Sequence, residues 1–550
     1  MTIKEFLRKK ILGLVGLSRD TSPDKERLTF ISDNDRLVRT RLREYNTWYG
    51  GDGDELLNLY TRGNMFEFHT EPYQSRNKRN YFWSISSTED DIKRTHSGQP
   101  RNIIDTLVMI TKFPTIRMQD KREQAILYYI LKDCKLKNIY KNQQMPLTLV
   151  EGWGCYKINF DKDLTDYPYP VYYRADNVDF VYKAGRIVGA IFKDYYTDGE
   201  SKNYMLVETR SLRFDEEKQE RVLVIEKELF TTNKDGLYIV NVDLLKEENL
   251  PEEVKGFKSE DIYMEISNMN SLLAVPCIFF ENTSGTGGYG RSIFTGKLDL
   301  FDDLDQCLSQ ASNAVRKSTP TEYFDTEFLE RDKRTGMPVQ PKAYDRKYVF
   351  YKGQKGADGE GKSKDPIQVT QPNLNFEQYS DQAIKILMQI INGIMSPATL
   401  GIDVAKKDNA EAQREKEKVT IFTRNAIIDS EYDIVNDLCQ ELLRAYELMH
   451  KGEITKQDYD ITIKFSEFAD DSYENKLEVL GSAFDNELIS EKMFMDKLYG
   501  DTLSDAEYEE EMNWLKENHT KPKQAAMQNM VQGQMAPQPN EEEQFGDEEL

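Results

Sequence analysis

The stretch from residue 376 to residue 450 constrains the fold of this chain more than any other. Apolar residues recur every three or four positions, which predicts one apolar helix face over 376–394. These residues are Phe376, Tyr379, Ala383, Ile386, Leu387, Ile390 and Ile394. Pro397 lacks a backbone donor and disfavours helix in the residue before it, so we expect it to terminate this helix. A polar loop follows at 395–410.

A second, very long helical pattern comes after that loop, within residues 411–460. Its first part, EAQREKEK, is strongly helix-forming. One face turns from apolar to polar, and the other stays apolar through Ile428, Leu438 and Leu448. At 1.5 Å per residue such a helix would span roughly 60 Å. A helix, a projecting loop and a long helix suit a protein that lines a passage better than an enzyme core.

Composition indicates a folded, acidic, several-domain protein. Hydrophobic residues make up 39% of the 550 positions, which is enough for real cores. Acidic residues outnumber basic ones by 96 to 73, for a net charge of −23. A typical sequence-reading DNA binder is basic, so this chain repels nucleic acid on average. It could still handle DNA through a few local cations, or through a channel that must not grip it.

Cysteine usage and hydropathy favour a reducing, non-membrane setting. The five cysteines (Cys134, Cys155, Cys277, Cys307 and Cys439) are scattered without a CxxC pair, which argues against a disulfide framework and a zinc ribbon. No apolar run approaches the length of a membrane span. The basic, amphipathic N-terminus, MTIKEFLRKKILGLVGL, is interpreted as a helix packing on a neighbouring surface, with a membrane-surface helix as the alternative.

The pattern along the chain predicts an α+β fold. Residues 1 to about 130 look helical, and 147–276 consists of short Tyr/Val/Ile-rich runs that predict antiparallel strands. A helix is predicted over 292–318, with an apolar stripe through Phe294, Leu298, Phe301, Leu304, Leu308 and Ala311. The remaining segments are a compact insert at 321–375, a strand-like run at 461–468, short helices over 471–519 and a disordered acidic tail from 521.

One motif imitates a phosphate-binding loop. Residues 285–292, GTGGYGRS, follow a strand and precede a helix, as such a loop does. Arg291, however, stands where a lysine should reach the phosphates, and no acidic residue for Mg²⁺ follows a convincing apolar strand. We interpret the segment as a mobile glycine hinge before the helix.

No other enzyme signature rises above background, and no catalytic residue, metal site or cofactor is predicted. The four histidines (His69, His96, His450 and His519) lack metal-ligand or HExxH spacing and are interpreted as surface or packing residues. The acidic cluster of Asp302, Asp303 and Asp305 is interpreted as a solvated helix face. Lys406 and Lys407 are either an ordinary solvated pair or a cationic loop that touches a phosphate backbone without base specificity.

The order of elements resembles the portal protein of tailed double-stranded DNA bacteriophages over roughly residues 40–515. YNTWYGGDGDEL is similar to the family's early aromatic-glycine segment. RNIIDTLVMITKFPTIRM is similar to the segment where portal chains enter the wing, and the sequence from ITIKFSEF onward is similar to the start of the crown. The resemblance rests on layout and diffuse motifs, without one signature.

The resemblance implies a portal-like fold with a mixed wing, a two-helix stem, a small α/β clip, a long wing-spanning helix and a helical crown. The implied boundaries are wing 1–276, first stem helix with its preceding strand and glycine loop 277–320, clip 321–375, returning stem helix 376–394, tunnel loop 395–410, wing-spanning helix 411–460, crown 461–520 and acidic tail 521–550. The residues expected to pack the stem helices are Phe294, Leu298, Phe301, Leu308, Ile386 and Ile390. Lys406 and Lys407 would contact DNA from the tunnel loop.

The resemblance also implies the partners and location. Such chains form a ring, normally of twelve copies, assembled in the host cytoplasm at one capsid vertex of the virion. Double-stranded DNA passes through the channel without sequence specificity. The expected protein partners are the terminase, the major capsid protein, a scaffold protein and a head-completion or tail adaptor protein. The alternatives are another structural virion protein, such as a minor capsid or connector subunit, and a nucleotide-dependent DNA enzyme built on 285–292.

Overall fold

The structure, a computed structural model, describes most of the chain outside its two ends. The described residues are 33–61, 81–84, 92–162, 164–197, 203–216, 219–232, 239–242, 262–282, 288–318, 321–325, 331–337, 339, 347–351, 367–370, 376–402, 417–466, 473–486, 488–499 and 507–517. Two compact units are present, Met1–Phe465 and Ser466–Leu550.

Helices account for much of the described chain. They are α1 (Asp33–Gly50), α2 (Gly53–Thr61), α3 (Gln99–Ile110), α4 (Lys121–Asp133), α5 (Leu136–Ile139), α6 (Met145–Glu151), α7 (Leu298–Lys317), α8 (Phe376–Ile391), α9 (Lys418–Lys451), α10 (Tyr473–Asp485), α11 (Glu491–Leu498) and α12 (507–517). A π-helix, Tyr140–Gln144, joins α5 to α6. Side-chain caps fix several starts: the Asp120 carboxylate, for example, accepts from the Arg122 amide at 2.7 Å before α4.

The strands form four sheets among the described residues. They are β1 (Thr115–Met118), β2 (Trp153–Asn159), β3 (Tyr169–Arg174), β4 (Val178–Lys183), β5 (Arg186–Thr197), β6 (Asn203–Asp215), β7 (Glu220–Thr232), β8 (Ile239–Val242), β9 (Tyr263–Ile266), β10 (Ala274–Ile278), β11 (Thr321–Asp325), β12 (Lys347–Tyr351), β13 (Ile367–Thr370) and β14 (Ile461–Lys464). The largest sheet has the order β4-β5-β6-β7-β8, with β9 also paired to β7. A second sheet has the order β10-β2-β3.

The α+β class predicted from the sequence is confirmed, and so are the antiparallel strands of the Tyr/Val/Ile-rich region. The strands start at Trp153, because the preceding residues 145–151 form α6. In the predicted clip, β11 pairs with β12 in parallel and with β13 antiparallel. The portal-like arrangement of these parts stays a prediction.

A main hydrophobic core runs through the first unit, and a small second cluster contains Tyr204, Leu206 and Leu229. The main core includes fully buried side chains from the early helices, from both large sheets and from the later helices, such as Trp48, Tyr156, Phe192, Phe301 and Leu438. β14 belongs to this unit because it pairs with β1, placing Ile463 opposite Ile116. The predicted crown starts at 461, the first residue of β14, so its first strand belongs to the first unit.

The second unit contains the short helices α10, α11 and α12. Its described core is small and consists of Phe484, Met495 and Leu515, with Phe484 and Phe494 stacked at 4.7 Å between ring centroids. Ser490 caps α11 by accepting from the Met493 amide at 3.2 Å. In the described part of the chain, no helix has both the length and the apolarity needed to cross a bilayer.

Candidate functional site

Helices α7 and α8 form an antiparallel pair, and this pair is the centre of the candidate site. Lys297, at the start of α7, donates from Nζ to the carbonyl oxygens of Gln389 (2.9 Å) and Asn392 (3.2 Å) at the end of α8. About three turns further along α7, the Cys307 thiol approaches the Tyr379 carbonyl oxygen at 3.4 Å, near the start of α8. The two contacts run in opposite directions along the two helices, so the helices are antiparallel.

The residues predicted to pack the stem all lie in or against the hydrophobic core. Phe294, Phe301 and Ile390 are fully buried, and Ile386 is nearly so. Leu298 and Leu308 are partly buried against the same core. The predicted helix over 292–318 starts late, at Leu298, because 292–297 form turns in which the Ser292 hydroxyl accepts from the Phe294 amide at 3.0 Å. Phe294 therefore packs from the turn.

Helix α8 ends before Pro397, so the prediction that Pro397 terminates it is corrected. The last helical residue is Ile391, and Gly393 follows with φ 77°, a left-handed conformation that glycine adopts without a side-chain clash. The amides of Ile394 and Met395 both donate to the Ile391 carbonyl oxygen. Pro397 instead opens a 3₁₀ turn, Pro397–Leu400.

The turn after α8 is fastened to the first turn of α9. The Ser396 amide donates to the Thr420 hydroxyl at 2.8 Å, and the Thr399 and Thr420 hydroxyls lie 2.7 Å apart. Thr420 is fully buried. The chain thus leaves α8 and starts α9 from one anchored point, with the predicted tunnel loop between. Lys406 and Lys407 lie outside the described residues.

Helix α9 is 34 residues long, about 51 Å at 1.5 Å per residue, and has the two predicted faces. Its core-facing side includes Ile427, Leu438 and Leu442, all buried. The opposite side exposes Phe422 and further on Asp433. The sequence pattern does not predict the buried polar residues on α9, which connect it to other elements.

The prediction that the acidic cluster on α7 is a solvated helix face is wrong for two of its three residues. Asp302 and Asp305 are buried, 4% and 0% exposed, whereas Asp303 is exposed. The backbone amide of Phe82 donates to Asp302 at 2.8 Å. Burial raises the pKa of Asp302 to about 7, although this amide hydrogen bond opposes the shift.

Asp305 contacts three groups from two described segments, 81–84 and 92–98. Its carboxylate lies 2.7 Å from His96 Nδ1 and accepts from the Trp83 indole at 3.1 Å and from the Ser97 amide at 2.8 Å. His96 also contacts the Trp48 ring, at 5.6 Å between centroids, so it is a packing residue as predicted. Asp302 and Asp305 connect the non-helical segments that contain Phe82 and Ser97 to α7. Backbone amides outside helices and strands need other acceptors, and these carboxylates supply them.

Close packing explains two glycines of the segment 285–292, whose spacing resembles a phosphate-binding loop. A Cβ on Gly290 would lie 1.9 Å from the Gly152 carbonyl oxygen, and one on Gly288 would lie 1.9 Å from the Trp153 ring. Both glycines are thus required by close packing, which corrects the hinge interpretation for these two positions. Arg291 lies over the Phe280 ring at 5.5 Å. Residues 285–287 of the motif lie outside the described residues.

A buried ionic network, which the sequence did not reveal, joins the six-stranded sheet to the β10-β2-β3 sheet. Glu208 on β6 accepts from Lys157 on β2 and from Arg210, each at 2.8 Å, and all three residues are nearly fully buried. Arg210 also donates to the carbonyl oxygens of Ile158 (3.0 Å) and Leu273 (2.5 Å). The two cations hold the pKa of Glu208 down to about 2 despite its burial.

Comparison with known proteins gives no family for this chain. No protein-family model matches it, and no match is found among curated proteins. Within the described residues, no three His, Cys, Asp or Glu side chains lie together as metal ligands would. The site is therefore interpreted from its own geometry: an anchored helix pair, a folded insert at one end and a fastened turn at the other.

Proposed function

We infer that this chain is a portal protein of a tailed double-stranded DNA bacteriophage. It would form a ring at one capsid vertex through which viral DNA is packaged and ejected. The observation that carries the proposal is the antiparallel α7–α8 pair. Its connection at one end is the sheet of β11, β12 and β13, and its other end meets the fastened turn before α9. A stem, a clip, a tunnel loop and a wing-spanning helix follow in that order along a portal chain.

The helix pair has suitable dimensions and surfaces for a channel wall. At 1.5 Å per residue, the 20 residues of α7 span about 30 Å and the 16 of α8 about 24 Å. A closed ring needs two different patches that meet between neighbouring copies. Val315 on α7 and Ile384 on α8 are about half exposed, so each helix offers an outward apolar contact to the next copy.

The charge of the chain agrees with transport of DNA and disagrees with tight binding. Each neutralised phosphate adds salt-sensitive affinity, which would act as drag on a moving duplex. A subunit with net charge −23 repels the duplex, and Lys406 and Lys407 would supply brief contacts from the tunnel loop. The half-exposed Val349 and the more exposed Val369 of the clip sheet offer a docking surface for the terminase and later for the tail adaptor.

A matched pair of substitutions tests the role of the helix pair. Ile384→Glu places a charge in the proposed contact between copies, whereas Gln382→Glu places the same charge on an exposed polar position of the same helix. We expect Ile384→Glu to sediment as small species with unchanged circular dichroism, and Gln382→Glu to form rings like the parent. Equal assembly of both variants would contradict the proposal. Nucleotide binding that is lost in Arg291→Ala would favour the enzyme alternative.

A further inference from the structure

A carboxyl group lies wholly inside the first unit and faces a π-helix. Glu431, in the middle of α9, is 0% exposed, and so is Gln144, the last residue of the π-helix. Gln144 donates from Nε2 to Glu431 Oε1 at 2.5 Å. π-Helices are rare and short, and they often mark functional positions. The hydrogen bond between Gln144 and Glu431 connects this π-helix to α9.

Two atoms of the pair lack partners when Glu431 is ionised. Gln144 Oε1 and Glu431 Oε2 are both buried without a hydrogen-bond partner among the described residues. Both are acceptors, since an ionised carboxylate has no donor. Buried acceptors without donors are destabilising, because each has lost its water without a replacement. A neutral carboxylic acid would have one O–H to donate.

Among the described residues, no basic group contributes to the pKa shift of Glu431. The described titratable groups that interact with it are Tyr140 from the π-helix, Tyr156 from β2 and Cys277 from β10, each neutral when protonated. Arg424, about two turns earlier on α9, instead donates from Nε to the Ile110 carbonyl oxygen at 2.8 Å. Burial raises the pKa of Glu431 to about 8, although the Gln144 hydrogen bond opposes the shift.

We propose that the folded protein binds one proton at Glu431 and that this proton closes a two-way hydrogen-bonded pair with Gln144. The Glu431 Oε2–H donates to Gln144 Oε1, while Glu431 Oε1 accepts from Gln144 Nε2. Loss of the proton to solvent leaves two facing acceptors and a buried charge. The pair is thus a proton-dependent lock between α9 and the π-helix, closed at neutral pH and released under alkaline conditions.

Infrared spectroscopy tests the protonation directly on the full-length protein with ¹³C-labelled glutamate. At pH 6 we expect the band of a protonated glutamic acid to be weaker in Glu431→Gln than in the parent. Glu447→Gln is the matched control on the same helix, since hydrogen bonds from Lys451 and Thr455 outweigh its desolvation and lower the pKa of Glu447 to about 2. The control should lose only carboxylate intensity. Loss of carboxylate intensity alone in Glu431→Gln would overturn the proposal.

Hydrogen exchange tests the lock. At pH 9 we expect the amides of residues 140–145 to exchange several-fold faster in the parent than in Glu431→Gln, which cannot become charged. At pH 6 the two proteins should exchange alike. Equal rates at both pH values would show that the proton does not hold the π-helix. If Glu431→Gln does not fold, the infrared band of protonated glutamic acid is titrated in the labelled parent protein instead. Absence of that band at pH 6 would refute the proposal.

Discussion

The Lys297 ammonium group donates to the Gln389 carbonyl oxygen at 2.9 Å, so the residue that starts α7 also caps the end of α8. The last carbonyl groups of a helix have no partner within it, and a cation placed there is favoured by the helix dipole. One side chain therefore connects the two helices at the end where the predicted tunnel loop departs.

Replacing Lys297 with methionine should loosen this end of the pair. We expect the free energy of local opening at the last turn of α8 to fall by about 1 kcal/mol, because a charge-assisted cap is lost. Hydrogen exchange of residues 389–395 measures it. Lys385→Met, an exposed position on the same helix, is the control and should change the value by less than about 0.5 kcal/mol. An equal effect of both substitutions would argue against the cap.

Glu208→Gln should destabilise the first unit strongly. The substitution leaves Lys157 and Arg210 buried without their counter-charge, which costs about 3–5 kcal/mol for a buried pair. Denaturant unfolding followed by tryptophan fluorescence measures the loss. Glu265→Gln removes a more exposed ion pair with Arg213 and should cost at most about 1 kcal/mol.

The lowered pKa of Glu208 also predicts how the stability of the first unit changes with pH. Because the pKa of Glu208 is about 2 in the folded chain and near 4.5 otherwise, its stabilisation is present above pH 4.5. That stabilisation is lost as the pH falls towards 2. The stability difference between the parent and Glu208→Gln should therefore shrink on acidification. A difference that stayed constant from pH 6 to pH 3 would contradict this assignment.

Asp305→Asn tests the corrected interpretation of the acidic cluster. An amide group cannot accept from Trp83, His96 and Ser97 together, so we expect a loss of about 2–3 kcal/mol. Asp303→Asn, at an exposed position of the same helix, should change stability by less than about 0.5 kcal/mol. Equal stability of the two variants in chemical denaturation would support the earlier interpretation of a solvated face.

Replacing Lys406 and Lys407 together with glutamate should impair DNA packaging while rings still assemble. The added negative charge would repel phosphates where the proposal expects brief attraction. Packaged DNA per particle, measured beside the mass of the purified ring, separates the two effects. Normal packaging by the double variant would refute a DNA-contacting role for these lysines.

The spacing of apolar residues predicted α7, α8 and α9, because the apolar face of a helix is the face that becomes buried. It missed the position where α8 ends, since Gly393 and the hydrogen bonds to Ile391 determine that end locally. It also missed the roles of Asp302, Asp305 and Glu208. Whether a carboxylate is solvated or buried depends on donors more than 50 residues away along the chain, such as Phe82 and Lys157, and one sequence does not show which segments meet.

The glycine motif illustrates the same limit. The spacing of 285–292 fits a phosphate loop, but Gly290 is needed because the Gly152 backbone approaches it closely. Only the position of a distant segment distinguishes the two explanations. The departure at Arg291 argued against a phosphate loop, but it did not reveal the close packing that requires these glycines.

The most direct test of the central claim is the mass and symmetry of the purified assembly, measured by native mass spectrometry and electron microscopy. The portal proposal predicts a closed ring of about twelve 64.1 kDa subunits around a central channel, with the α7–α8 pairs lining it. A monomer, a dimer or a closed particle without an axial channel, at the concentrations used for imaging, would contradict it.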